Sequence, residues 1–156
     1  MSEGPIDAVD RRIIEVLRAD GRVSINELAS RVNVSRATAY ARFERLRRDG
    51  VIRGIGAVVD PERLGLTVTA AILVNVEQAS WREVRDRVLA LHGLDYLAMT
   101  SGGYDFVLII RVPDAHTLRD VVLVELHGIP GVRTTQTMFV LDEHGGLATG
   151  PKFSTY

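Results

Sequence analysis

The chain has no cysteine, which excludes a disulfide framework, a thiolate metal site and a cysteine nucleophile. Lysine is nearly absent too: of 19 basic residues only Lys152 is not arginine, a bias that GC-rich coding explains as readily as function. No apolar run approaches the roughly 18 residues needed to span a bilayer, and the N-terminus is short and polar with no apolar h-region. A cytoplasmic protein with no membrane partner is expected. Missing as well are a Walker loop, a G-x-S-x-G elbow and a strand, glycine-rich turn and helix unit, so neither an enzyme nor a cofactor is expected. What remains is 156 residues, 46% hydrophobic, with a net charge of -1: enough for packed cores in one or two domains.

The charge is unevenly spread. Residues 1–60 hold eleven arginines against nine acids, whereas residues 61–156 hold eight basic and eleven acidic residues. Within residues 31–53 the arginines at 31, 36, 42, 45, 47, 48 and 53 face only Glu44 and Asp49. Positive charge is therefore focused on one short stretch.

That stretch has punctuation. Ser24 with Glu27 forms a capping box, and Val23 with Leu28 a hydrophobic staple, so a helix starts there. Asn33 suits the left-handed residue that ends a helix, and Ser35 then caps the next, with Val34 and Ala39 as its staple. An upstream helix capped by Asp7 carries Ile6, Val9, Ile13, Val16 and Leu17 on one stripe and stops at Asp20-Gly21. The sum is a tri-helical unit with a helix-turn-helix.

Over residues 35–49, Ala39, Phe43 and Leu46 fall at helical spacing and form the buried face. The outward arc and its flanks then hold Ser35, Arg36, Ala37, Thr38, Tyr40, Ala41, Arg42, Arg45 and Arg48, a surface suited to phosphates and major-groove base edges of double-stranded DNA. The bland alternative is a solvated basic helix. The capped partner helix and two-residue turn favour DNA contact. In this reading Arg36, Thr38, Tyr40 and Arg42 read bases, while Arg45 and Arg48 hold phosphates.

Residues 51–59 are β-rich but broken by Gly54 and Gly56, and read as a wing or hinge strand. Beyond them the order is strand 67–76, helix 80–91, strand 94–100, strand 104–112, helix 114–127 and strand 132–141. Ser80 with Glu83 reads as a second capping box and Asp114 as an N-cap, and both helices end in Leu-His-Gly, at residues 91–93 and 126–128. The βαββαβ order and this echo fit a ferredoxin-like domain. The fold class is thus α+β, a winged helix-turn-helix followed by a ferredoxin-like domain. Expected boundaries are 1–50, a hinge at 51–65, 66–142, and a flexible tail at 143–156.

Residues 70–74 and 106–110 are apolar at every position, whereas a sheet covered on one face alternates. Both faces are expected dry, the second against another subunit, which makes a homodimer. The apolar residues 121–124 point to a further contact between dimers.

Asp10-Arg11-Arg12-Ile13-Ile14 followed by Asp20-Gly21-Arg22, Glu27-Leu28-Ala29, Arg45-Leu46 followed by Gly50-Val51-Ile52, and Gly102-x-x-Asp105, in this order, resemble the Lrp/AsnC family of feast/famine regulators over residues 6–141. The resemblance implies a sheet-mediated dimer, often an octamer, that senses an amino-acid-like effector between dimers near the hairpin 101–105. Carried over, the candidates are Gly102, Gly103, Tyr104 and Asp105, with Thr135 and Thr137. Glycines admit a ligand to the backbone, and Asp105 suits an α-ammonium; Gly-Gly between strands is equally a plain hairpin turn.

His92, His116, His127 and His144 have no metal-site spacing, and no metal is expected; His92 and His127 stand at helix C-termini, where the dipole favours imidazole. The surviving enzyme alternative is a siroheme decarboxylase, which shares the architecture; the arginine-bearing recognition helix argues against it. A ligand-independent architectural DNA binder is the third reading.

Overall fold

The computed structural model describes residues 6–143, so His144 and the rest of the expected tail, 144–156, lie outside the described residues. The chain divides into two compact units between Val58 and Val59.

The first unit is three helices. In α1 (Ala8–Ala19), Asp7 caps the Asp10 N–H at 2.9 Å and the Asp10 carboxylate returns to the Asp7 N–H, a reciprocal capping box. In α2 (Ile25–Val32), Ser24 accepts the Glu27 N–H, but Glu27 turns away to pair with Arg31, so only half of the expected box forms. Asn33 ends α2 in the left-handed region, φ 57°, and Ser35 caps α3 (Arg36–Arg48) by accepting the Thr38 N–H. Two residues, Asn33 and Val34, therefore form the turn. Ile13, Leu28, Val32 and Leu46 make the core, with Ile6, Val9, Val16, Leu17, Ile25 and Ile52 packed around it. Phe43, expected in that core, is only half-buried and carries the Arg47 guanidinium over its ring.

Residues 51–59 form no strand. The chain leaves α3 through Gly50, at φ 69°, with the Ile52 N–H bonded to the Leu46 carbonyl. Most of the segment is exposed, and Gly54 and Gly56 interrupt the β-branched residues that would pair it. The hinge strand is thus corrected to an irregular connection.

The second unit is one antiparallel sheet of β1 (Val68–Val76), β2 (Leu94–Met99), β3 (Phe106–Val112) and β4 (Val132–Phe139), in the order β2-β3-β1-β4. Helices α4 (Trp81–Val88) and α5 (Ala115–Asp120) supply Val84, Val88 and Leu118 to a core with Ala70, Ile72, Val74, Phe106, Leu108 and Ile110. Burial alternates along β1 and β3. The intervening Ala71, Leu73, Val107 and Ile109 are half-buried and form the opposite face, in register with Ala98 and Tyr96 of β2 and with Gln136 and Met138 of β4. One face is packed by helices; the other is an apolar plateau in the single chain.

Two expected details differ. Ser80 makes no side-chain cap; its hydroxyl donates to the Glu77 carbonyl instead, because its backbone has left the extended conformation that a cap requires. The second helix does not run unbroken over 114–127: after the Asp114 cap and α5, residues Val121–Leu126 widen into a π-helical turn, with the His127 N–H bonded to the Val122 carbonyl. Both glycines of the Leu-His-Gly echo are sterically required. A Cβ at Gly93, φ 71°, would lie 2.4 Å from the Arg111 carbonyl oxygen, and one at Gly128 would lie 2.5 Å from that of Val124.

Arg111 closes one end of the open face. It bonds Thr69, Asp95 and Glu143, so Glu143, expected in the flexible tail, is held against the sheet. The hydrogen bond from Arg111 keeps the Glu143 carboxyl below its usual range, and Glu143 first, then Asp95, raises the guanidinium pKa.

Candidate nucleic-acid interface and ligand hairpin

The surface of α3 sorts into two sets. Ser35, Arg36, Ala37, Thr38, Tyr40, Ala41, Arg47 and Arg48 are exposed, whereas Ala39 and Leu46 are buried. The Ser35 hydroxyl lies 2.8 Å from that of Thr38, so the cap orders the first turn of the helix. Tyr40 is 55% exposed one turn beyond Arg36. Arg48 sits with its Nε 3.4 Å from Asp49, and Arg47 pairs with Glu44 while stacking on Phe43. The exposed set presents cations, a phenol, two hydroxyls and two alanines, the mixture that major-groove contact uses. Arg47 was passed over in the sequence reading, although its i+4 relation to Phe43 was visible there.

Arg42 and Arg45 correct the expected outward arc. Both turn onto α1: Arg42 bonds Asp7 at 2.5 Å and Asp10 at 3.0 Å, and Arg45 bonds the other oxygen of Asp10. Asp10 is wholly buried. A buried carboxylate requires paired donors, and these two arginines with the Asp7 N–H supply them. The result is an ion network that ties α3 to α1 and fixes it on the tri-helical core. Asp10 carried a signal that sequence reasoning missed: it lies four residues after Ile6 and three before Ile13, an acid on an apolar stripe.

In the second unit, the hairpin between β2 and β3 is tightly bonded. The Thr100 N–H reaches the Asp105 carbonyl, and the Thr100 hydroxyl donates to the Tyr104 carbonyl at 2.5 Å. Gly102, φ 150°, and Gly103 are exposed, with open space where a Cβ would lie. Asp105 is not a free anion: one carboxylate oxygen accepts the Val76 N–H at 2.9 Å and the other the Gln78 amide at 3.2 Å. It does so where the β1–β4 register shifts, between Asn75 and Val76. The carboxylate therefore seals a sheet irregularity with one bond to each oxygen, and keeps acceptor capacity beside the hairpin.

Tyr104 bridges to Gln136 of β4 at 2.5 Å. Gln136 registers with Leu73 on the open face, whereas Thr135 and Thr137 register with Val74 and Ile72 on the helix-covered face. The two threonines therefore face the other side of β4 from Gln136, which bonds Tyr104 of the hairpin. Thr135 contacts His127 at 2.7 Å, and Thr137 lines a shallow groove with Leu118, Val122, Leu123 and Phe139. Gln136, missed in the sequence, is the residue that links β4 to the hairpin.

His116 pairs with Asp120 and Arg119. Among the described residues no group of three or more His, Cys, Asp or Glu is arranged to hold a metal ion, and no helix is long and apolar enough to cross a membrane.

Residues 6–53 match the winged helix-turn-helix DNA-binding family model, and residues 69–145 match that of the Lrp/AsnC ligand binding domain. The HTH-type transcriptional regulator FL11 of Pyrococcus furiosus is 36% identical over 141 residues, 90% of this chain and 93% of its own. The leucine-responsive regulatory protein of Escherichia coli is 30% identical over 141 residues, 88% of this chain and 86% of its own. The feast or famine regulatory protein from M. tuberculosis, solved in complex with L-methionine, superposes with a TM-score of 0.83 at 27% identity, covering 91% of this chain and 96% of its own. These matches, laid over a capped helix-turn-helix and a four-stranded βαββαβ sheet, make the chain a transcriptional regulator of the Lrp/AsnC family, with a DNA-binding unit followed by a ligand-binding one.

Proposed function

We propose that the protein binds specific double-stranded DNA sites and that a small, amino-acid-like effector changes its assembly or its affinity for them. The observation that carries the DNA half is the exposed face of α3, with Arg36, Thr38 and Tyr40 over its first turns. In a helix-turn-helix those turns reach base edges. Arg36, Thr38 and Tyr40 read bases, Ser35 and Ala37 let the helix terminus come close, and Arg48, with Arg47, holds phosphates. Arg42 and Arg45 act through position, fixing α3 to α1.

Two copies pair through the open sheet face of Ala71, Leu73, Val107 and Ile109, which presents two helix-turn-helix units to a palindromic site. Further association, up to an octamer, uses Leu123 and Val124, both exposed on the π-helical turn. The effector site lies at Gly102, Gly103 and Tyr104 with Gln136. Exposed backbone N–H groups at the glycines suit an α-carboxylate. The L-methionine complex of the M. tuberculosis relative supports this ligand class. A ligand binding two assembly states unequally shifts DNA occupancy by that difference.

The test is a thermal-shift screen of the twenty amino acids, with and without a DNA fragment from upstream of the protein's own gene. Stabilisation by one or a few amino acids with altered DNA affinity is the expected result. DNA binding with no amino-acid response overturns the effector half, and no response to either overturns both.

A further inference from the structure

The DNA-facing surface of α3 is not uniformly polar. Beside its first turns, Ala37, Tyr40 and the stem of Arg36, with Ile25 from the start of α2, line an open depression of about 510 Å³ whose lining is mostly apolar. Ile25 is half-buried and anchored in the tri-helical core, so this wall is fixed. The nearby hydroxyls are already engaged: Ser24 accepts the Glu27 N–H, and Ser35 accepts the Thr38 N–H while contacting the Thr38 hydroxyl. The hollow thus offers mostly carbon, with the Arg36 guanidinium and the Tyr40 hydroxyl as the polar groups of its lining side chains.

We infer that this hollow receives the C5-methyl group of a thymine, and so sets one base preference within each half-site. The inference rests on the DNA-binding reading above and adds the base and the residues that choose it. Among major-groove edges, thymine alone presents a methyl group; cytosine presents an amino donor, and adenine and guanine present polar N7 edges. A mostly apolar lining rewards the methyl and offers a cytosine amino group far less. Ala37 is small enough to admit the base edge, Ile25 and Tyr40 flank the methyl, and Arg36 on the rim reaches the neighbouring base or phosphate.

Sites are first selected from a random duplex pool with the full-length protein. Each thymine in the selected site is then replaced by deoxyuridine, which removes only the methyl. One thymine per half-site should lose about fourfold in affinity, the value of one buried methylene at ~0.8 kcal/mol. That penalty should shrink toward onefold in Ala37→Ser and in Tyr40→Ala, both at exposed positions. Equal affinity for thymine and deoxyuridine at every position, with DNA binding intact, overturns the inference and leaves the DNA reading standing. A methyl penalty unchanged in both variants overturns the assignment to this hollow. Failure to select any site overturns the DNA reading and this inference with it.

Discussion

Asp10 of α1 and Arg45 of α3 form an ion pair whose carboxylate is wholly buried, 35 residues apart in the chain. Removing one partner of a buried pair strands the other. Asp10→Ala should destabilise the N-terminal unit by about 3 kcal/mol, read from urea unfolding. Arg42→Ala should lower stability more than it lowers the salt dependence of DNA binding. A stable Asp10→Ala protein would refute the structural role of the network.

Asp7 gives that network a pH dependence. Its carboxyl is lowered from 3.8 to about 2, first by the Asp10 N–H and then by Arg42. A carboxyl depressed on folding stabilises fully above its unfolded pKa and loses that contribution as pH falls through the folded value. Stability should therefore drop between about pH 4 and pH 2, the two ends of that shift. Asp7→Asn keeps a good N-cap but loses the charge, so its thermal midpoint should fall less over the same interval.

Arg36 and Arg48 should fail differently. Arg36→Ala should relax sequence preference at one position, by roughly 1–3 kcal/mol of discrimination. Arg48→Ala should weaken all DNA alike and reduce the slope of log affinity against log salt by about one. Titrations of a selected and a scrambled duplex at several salt concentrations separate the two, and identical behaviour would dismiss the division of roles.

How much of this was legible follows from range. Ser24, Asn33, Ser35 and Asp114 act on backbone within a few residues, and local sequence foretells such contacts. The alternation lost within residues 70–74 and 106–110 likewise foretold a sheet apolar on both sides. Arg42 and Arg45 were misread because their partners lie 32 and 35 residues away, where helical phase is silent. Ser80 was misread for another reason: its motif was right, but the chain enters α4 with a non-cap backbone.

Asp105 should prove a fold residue before a ligand residue. Asp105→Ala leaves the Val76 N–H without its acceptor and should cost roughly 1–3 kcal/mol of stability in the second unit. Gly103→Ala meets open space and should leave stability nearly unchanged, so any lost effector binding in that variant reports the site itself. Calorimetry of both variants separates folding from binding.

The open sheet face should control oligomeric state. Ile109→Glu places a charge among Ala71, Tyr96 and Val107 and should convert the protein to its 17.2 kDa monomer in light scattering. An unchanged assembly would move the subunit contact elsewhere.

The π-helical turn has a consequence for how this chain tolerates insertion and deletion. A π turn spans one residue more than an α turn, and here the inward-facing positions step from Val121 to Leu126. The extra residue keeps Glu125 outside, where its carboxylate accepts the His92 N–H, and leaves Leu123 and Val124 in solvent. Deleting Leu123 or Val124 would restore ordinary helical spacing between Val121 and Leu126 and keep Val122 on the core, changing what the helix displays without removing what it covers. The segment is a place where length can drift by one residue while the sheet beneath keeps its register.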